Sequence, residues 1–244
     1  MSLITPSIIQ TLTAHYDAPT RHYHTTSHIS ALLDLLKTHH SHFMDPYAVE
    51  AAIWFHDAIY DVHAPAGQNE VESAALAVRT LREQHGIVEL ESEPDSVEPD
   101  KLDKLDSTRQ GIDAERLERI RIMIEATATH TAPSATALLV PEGSPQVQDA
   151  KLFLDMDLSI LAADSSEFSA YEKAVRQEYG HVSNTKWREG RARVLKGFLA
   201  RERIYLTDLF GGLLEERARV NLKNSIATLE SEGPQSVCNA YVLA

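Results

Sequence analysis

The chain has 244 residues, 43% of them hydrophobic, and no apolar run reaches the roughly 18 residues of a membrane span, so composition points to an ordinary globular protein with a sizeable core. Its single cysteine, Cys238, excludes an internal disulfide as well as zinc-finger and iron–sulfur chemistry, and any metal has to be held by nitrogen and oxygen ligands. The formal net charge of -13 argues against a surface that coats nucleic acid, which needs clustered Lys and Arg, but leaves room for a small phosphorylated ligand.

The N-terminal stretch "MSLITPSIIQTLTAHYD" lacks the basic start and long apolar centre of a signal peptide, which predicts a cytoplasmic protein. Nine of the 12 histidines follow within the first 63 residues, and helix position has to sort them. In "RHYHTTSHISALLDLL" His24 and His28 are four residues apart. His28 continues with Leu32, Leu35 and Leu36 onto the apolar face of its helix, which puts His28 inward and His24 one turn above it at the rim.

"DPYAVEAAIWFHDAIY" predicts a helix from 46 to 60 with Asp45 as N-cap and Pro46 in the first turn. Val49, Ala51, Ala52, Ile53, Trp54 and Phe55 cover nearly every direction, so His56 and Asp57 end up inside. A buried carboxylate is costly unless it is paired or coordinates a metal. Taken alone, the pair reads as a core histidine beside a helix-terminal aspartate.

"NEVESAALAVRTLREQHG" predicts a helix from Asn69 to a stop at Gly86, with an apolar stripe of Val71, Ala74, Val78 and Leu81. Residues 91–111 are acidic and proline-bearing, an expected exposed, mobile insertion; residues 131–148 read as a second loop. Between them "DAERLERIRIMIEATATH" repeats Leu117, Ile120 and Ile124 at helical spacing. "DAKLFLDMDLSILAAD" then offers Asp155 and Asp157, roughly 200° apart on a helix. Asp157 has Phe153, Leu154, Ile160 and Leu161 as neighbours, whereas Asp155 has Lys151 and Ser159, so Asp157 is the expected buried one and Asp155 the solvated one.

Three further helices are predicted over 166–180, 184–206 and 214–233, for nine or ten in all. The expected fold is all-α, a single domain over 1–244 with an inserted acidic loop. "LFGGLLEERARVNL" is amphipathic and packs either internally or against a second subunit of a homodimer. His28, His56, Asp57 and Asp157 form an inward set of two imidazoles and two carboxylates on three helices, suited to a hard or borderline divalent cation with open water positions. Such an ion would supply the charge that lets Asp57 be buried.

These residues resemble the HD superfamily of metal-dependent phosphohydrolases, whose signature is a His, a later His-Asp pair and a distant Asp. The resemblance covers roughly residues 15–225, and "RHYHTTSHI", "WFHDAIYD", "NEVESA", "TATH", "DMDLSILA" and "YEKAVRQEY" together are similar to a family of small predicted HD phosphohydrolases. It implies an HD-domain helical bundle holding one or two divalent ions (Mn, Co, Mg, Fe or Zn) on His28, His56, Asp57 and Asp157.

"YHTTSHISAL" also resembles the "YHNxxHAxDV" motif of cyclic-nucleotide phosphodiesterases, which carries over His24 as proton donor and His28 as ligand; Thr25 stands where that motif has Asn. The reverse assignment, with His24 as the ligand, stays open. In (p)ppGpp hydrolases of the superfamily an acidic pair follows the His-Asp, and this chain keeps only its second member, Asp61, either orienting water or capping the helix. Glu70 either faces the site, holding water or a second metal, or serves the helix dipole. His130 either touches phosphate or a second metal or ends a helix at the surface. Arg21 and Tyr23, in the His24 motif, and Arg176, in "YEKAVRQEY", are the candidates for binding substrate.

The implied activity is hydrolysis of a phosphoester, of a nucleotide or related small phosphorylated metabolite, by a metal-activated water. The rivals are a di-iron oxygenase of the same fold and a non-catalytic metal-binding regulatory domain.

Overall fold

A computed structural model describes residues 2–86 and 112–231; the insertion expected at 91–111 lies outside them. Among the described residues there are nine α-helices and no strand, as an all-α chain requires. None of the helices is long and apolar enough to cross a membrane. The chain divides into two compact units, Met1–Asp157 and Leu158–Ala244.

The described residues of the first unit form six helices: α1 (Pro6–Tyr16), α2 (Thr26–Thr38), α3 (Pro46–Phe55), α4 (Gln68–His85), α5 (Ala114–Ala126) and α6 (Pro145–Asp157). Capping chemistry sets the starts: Thr5, Asp45 and Asp113 each accept an amide of the first turn through the side chain, ahead of α1, α3 and α5. Pro46 occupies the first turn of α3, where its missing N–H costs nothing. Helix α4 ends at Gly86, whose φ of 64° lies in the left-handed region that glycine enters without strain.

Helix α3 is the hub, packed against α1, α2, α4, α5 and α6. Its sequence explains this: Ala48, Val49, Ala51, Ala52, Ile53 and Phe55 are all buried, and the alanines let neighbouring helices approach closely. Each of Ile53 and Phe55 contributes about 1.5–3 kcal/mol by leaving water. Asp149 of α6 secures the start of α3, accepting the amides of Met44 (2.9 Å) and Asp45 (2.8 Å) on its two oxygens.

In the second unit a 3₁₀ segment, Leu158–Ala162, leads into α7 (Ser165–Glu178), α8 (Asn184–Leu199) and α9 (Asp208–Ser231). Asn221 of α9 donates its amide to Leu161 O and Ala163 O, both at 2.9 Å, so the segment's end carbonyls are satisfied by a side chain. Arg191 of α8 pairs with Glu172 of α7, which also accepts from Ser225 of α9 (3.0 Å), tying three helices together.

Several boundaries differ from the sequence expectation. The helix predicted over 46–60 stops at Phe55. The one predicted through 206 stops at Leu199, because Arg219 takes the carbonyls of Leu199, Arg201 and Glu202 while Glu215 takes the amides of Ile204 and Tyr205. Helix α9 starts at Asp208 rather than 214, and α6 starts at Pro145, inside the loop expected over 131–148. On α4 the buried stripe is Ser73, Ala74, Ala77 and Leu81, and Val71 is 53% exposed. Asp155 is wholly buried rather than solvated, because the C-terminal half of α6 is enclosed on every side, from Leu152 to Met156.

Candidate metal centre

Helix α2 presents His28 one turn before Leu32, on its buried face. Helix α3 ends by delivering His56 as its C-cap and Asp57 directly after it, and α6 ends at Asp157. His28 and His56 are buried, and the side chains of Asp57 and Asp157 retain only a small exposure.

The polar atoms of these four side chains converge. His28 Nε2 lies 3.2 Å from His56 Nε2 and 3.1 Å from Asp157 Oδ1. Asp57 Oδ2 lies 3.0 Å from His56 Nε2 and 3.7 Å from His28 Nε2. His56 Nε2 stands 3.5 Å from Asp157 Oδ1. One ligand atom each from His28, His56 and Asp157 falls within a 4.8 Å group able to hold a metal ion, with Asp57 against its two imidazoles.

Outer contacts orient the donors. His56 Nδ1 donates to Ile53 O at 2.9 Å, and because a carbonyl only accepts, the Nδ1 proton is fixed and a neutral ring turns its Nε2 lone pair to the cluster. His130 Nε2 holds the other oxygen of Asp157 at 2.8 Å, from a backbone with φ of 48°, in the left-handed region. With the His56 proton on Nδ1, its Nε2 lone pair faces His28 Nε2 at 3.2 Å and accepts either a proton carried on His28 Nε2 or a share in a cation. The spacing suits adjacent ligands at about 2.1 Å from one ion. Two nitrogens and two carboxylates, with no sulfur, fit a hard or borderline divalent cation.

Without such an ion the charges shift onto the side chains. Burial pulls the His56 imidazole down, but Asp57 and Asp157 outweigh it and hold its pKa well above the ordinary value. Burial pushes the Asp57 carboxyl up, and His56, then His24, outweigh it and hold it below the usual carboxylate range. Asp157 is likewise held down, chiefly by His56 against burial.

The remaining candidates sit around this cluster or away from it. His24 is half-buried, its ring centroid 6.1 Å from that of His28; it lies 4.3 Å from Tyr60 at 32° and edge-on to Tyr23 at 5.0 Å. Tyr23 also packs on His28, at 5.0 Å. Asp61 is exposed and accepts the His63 amide at 2.9 Å, closing a local turn; α3 has ended six residues earlier, so the extra helical turn expected to aim it at the site does not form. Glu70 is half-buried in the first turn of α4, outside the converging group.

Both expected phosphate-gripping arginines donate chiefly to backbone carbonyls. Arg21 is buried and donates to His24 O (3.1 Å), Asp57 O (2.6 Å) and Ala58 O (2.9 Å). Arg176, in the second unit, donates to Tyr179 O, Val182 O and Asn184 Oδ1 and lies over the Trp187 ring.

Sequence reading passed over Tyr16, which is fully buried and donates its hydroxyl to Trp54 O at 2.9 Å. The signal was present: Tyr16 continues the Ile8, Leu12 stripe of α1, and a buried tyrosine hydroxyl needs a partner. No protein-family model matches this chain, nor does any curated protein or solved structure.

Proposed function

We propose that this chain is a metal-dependent phosphohydrolase of the HD type, acting on a phosphoester of a nucleotide or a related small phosphorylated metabolite in the cytoplasm. The observation that carries the reading is the 3.2 Å approach of the His28 and His56 Nε2 atoms, flanked by Asp57 and Asp157. A divalent ion held there supplies Lewis acidity toward a phosphoryl oxygen and acidifies water near neutral pH.

The chain's own groups divide the remaining work. His24, beside the cluster but outside it, serves as general acid and protonates the leaving oxygen as the P–O ester bond breaks and water adds to phosphorus. Tyr60 and Tyr23 fix the plane of its imidazole. His130 keeps the Asp157 carboxylate in a single orientation. Arg21 and Arg176 are engaged by carbonyls, so this reading does not rest on a guanidinium clamp from either.

The test is phosphate and nucleoside release from nucleotides, cyclic nucleotides and (p)ppGpp by metal-stripped protein reloaded with manganese, cobalt, magnesium, iron or zinc, beside Asp57→Ala. Turnover that disappears in the variant is the expected result. Stoichiometric metal binding without turnover on any ester would remove the hydrolase reading in favour of oxygen chemistry or a regulatory metal site.

A further inference from the structure

We propose that Arg21 and Tyr16 are positioning residues, which hold the His56–Asp57 pair in ligand geometry and keep His24 in register with it. The inference rests on the metal-centre reading above. Because α3 ends at Phe55, Ala58 N closes a turn on Phe55 O while the Trp54, Asp57 and Ala58 carbonyls take side-chain donors from outside the helix, and a ligand pair carried on such a turn needs an outside restraint. The segment 16–21 provides it.

One nitrogen of Arg21, Nη1, donates to both Asp57 O (2.6 Å) and His24 O (3.1 Å), bridging the ligand-bearing and proton-donating segments; Nη2 takes Ala58 O (2.9 Å). The guanidinium carbon lies 5.0 Å from the Tyr16 ring centre and 5.3 Å from that of Tyr60, and Tyr60 carries the His24 imidazole at 4.3 Å. Tyr16 restrains the same stretch from its other end through Trp54 O. Backbone on both sides of His56 is therefore held from outside α3. Reaching three carbonyls from one side chain needs the planar fork of arginine, and a lysine ammonium is a single point donor.

Cobalt(II) titration of the metal-stripped full-length chain, read by visible absorption, tests this on wild type, Arg21→Ala, Arg21→Lys and Tyr16→Phe, with helical content checked by circular dichroism. Both Arg21 variants are expected to bind cobalt about 10- to 100-fold more weakly with altered ligand-field bands, the size seen when outer partners of metal ligands are lost. Tyr16→Phe is expected to weaken binding in the same direction, and millimolar guanidinium to restore Arg21→Ala. Wild-type affinity and spectrum in folded Arg21→Lys and Tyr16→Phe would overturn the positioning role while leaving the metal centre standing. A wild type that binds no cobalt would remove the metal centre and this proposal together. If Arg21→Ala fails to fold, Tyr16→Phe, which removes one oxygen atom, decides the matter.

Discussion

His28 Nε2 and His56 Nε2 face each other at 3.2 Å across the ends of two helices, with a carboxylate oxygen from Asp57 and one from Asp157 within 3.7 Å. On the proposed metal-centre reading, removing any one of the four leaves the others as an incomplete donor set. His28→Ala and Asp157→Ala are each expected to lower metal affinity by more than the roughly 10- to 100-fold typical of outer-shell changes. Calorimetric titration with manganese or zinc measures it, and wild-type affinity in either variant would exclude that residue as a ligand.

Metal binding should release a proton and strengthen as pH rises. In the metal-free protein His56 keeps its proton above the ordinary imidazole range, with Asp57 and Asp157 outweighing burial. Its stabilising contribution is therefore fully present below about pH 6.5 and is lost as pH rises through the raised folded value. An incoming cation must displace that proton. Calorimetry in two buffers of different ionisation enthalpy reads the release directly; affinity that stays flat from acid to neutral pH, with no proton released, would contradict it.

His130 separates orientation from backbone strain. It holds Asp157 Oδ2 at 2.8 Å from a left-handed backbone. His130→Ala is expected to weaken metal binding about 10- to 100-fold. His130→Gly should ease the backbone without restoring affinity, whereas His130→Asn, which tolerates this φ and still offers a donor, should recover part of it. Equal affinities in the three variants would show that the contact does not orient Asp157.

Cation binding should also raise thermal stability by mass action. At 100 times its dissociation constant, a metal that binds only the folded state adds about 2.7 kcal/mol. A melt followed by circular dichroism with and without chelator checks this, and the increment should vanish in Asp57→Ala.

In the second unit, Glu172→Ala removes the partner of Arg191, a guanidinium that also donates to the Tyr171 hydroxyl at 2.7 Å. The two side chains are partly buried, 11% and 18% exposed, so breaking the pair from one side is expected to cost about 1–3 kcal/mol, between the surface and buried limits. Urea unfolding measures the loss; a change under 1 kcal/mol would mean that water reaches the guanidinium and replaces the carboxylate.

Period and capping are local properties read within one or two turns, and they were enough for the all-α class, the placement of most helices and the inward face of His28. The near-continuous apolar run of α3 was enough to place His56 inside. Packing in three dimensions supplied donors from far along the chain to carbonyls just past a helix end, as Arg21 does for Asp57 and Ala58 after α3. It also decided that Asp155 is buried: neighbours four residues away describe one face of α6, and what covers the opposite face comes from elsewhere in the fold. Arg21 shows the same limit. Its charge beside a histidine motif suggested a phosphate ligand, and only the folded positions of three carbonyls, two of them 36 and 37 residues away, turned that charge to holding backbone.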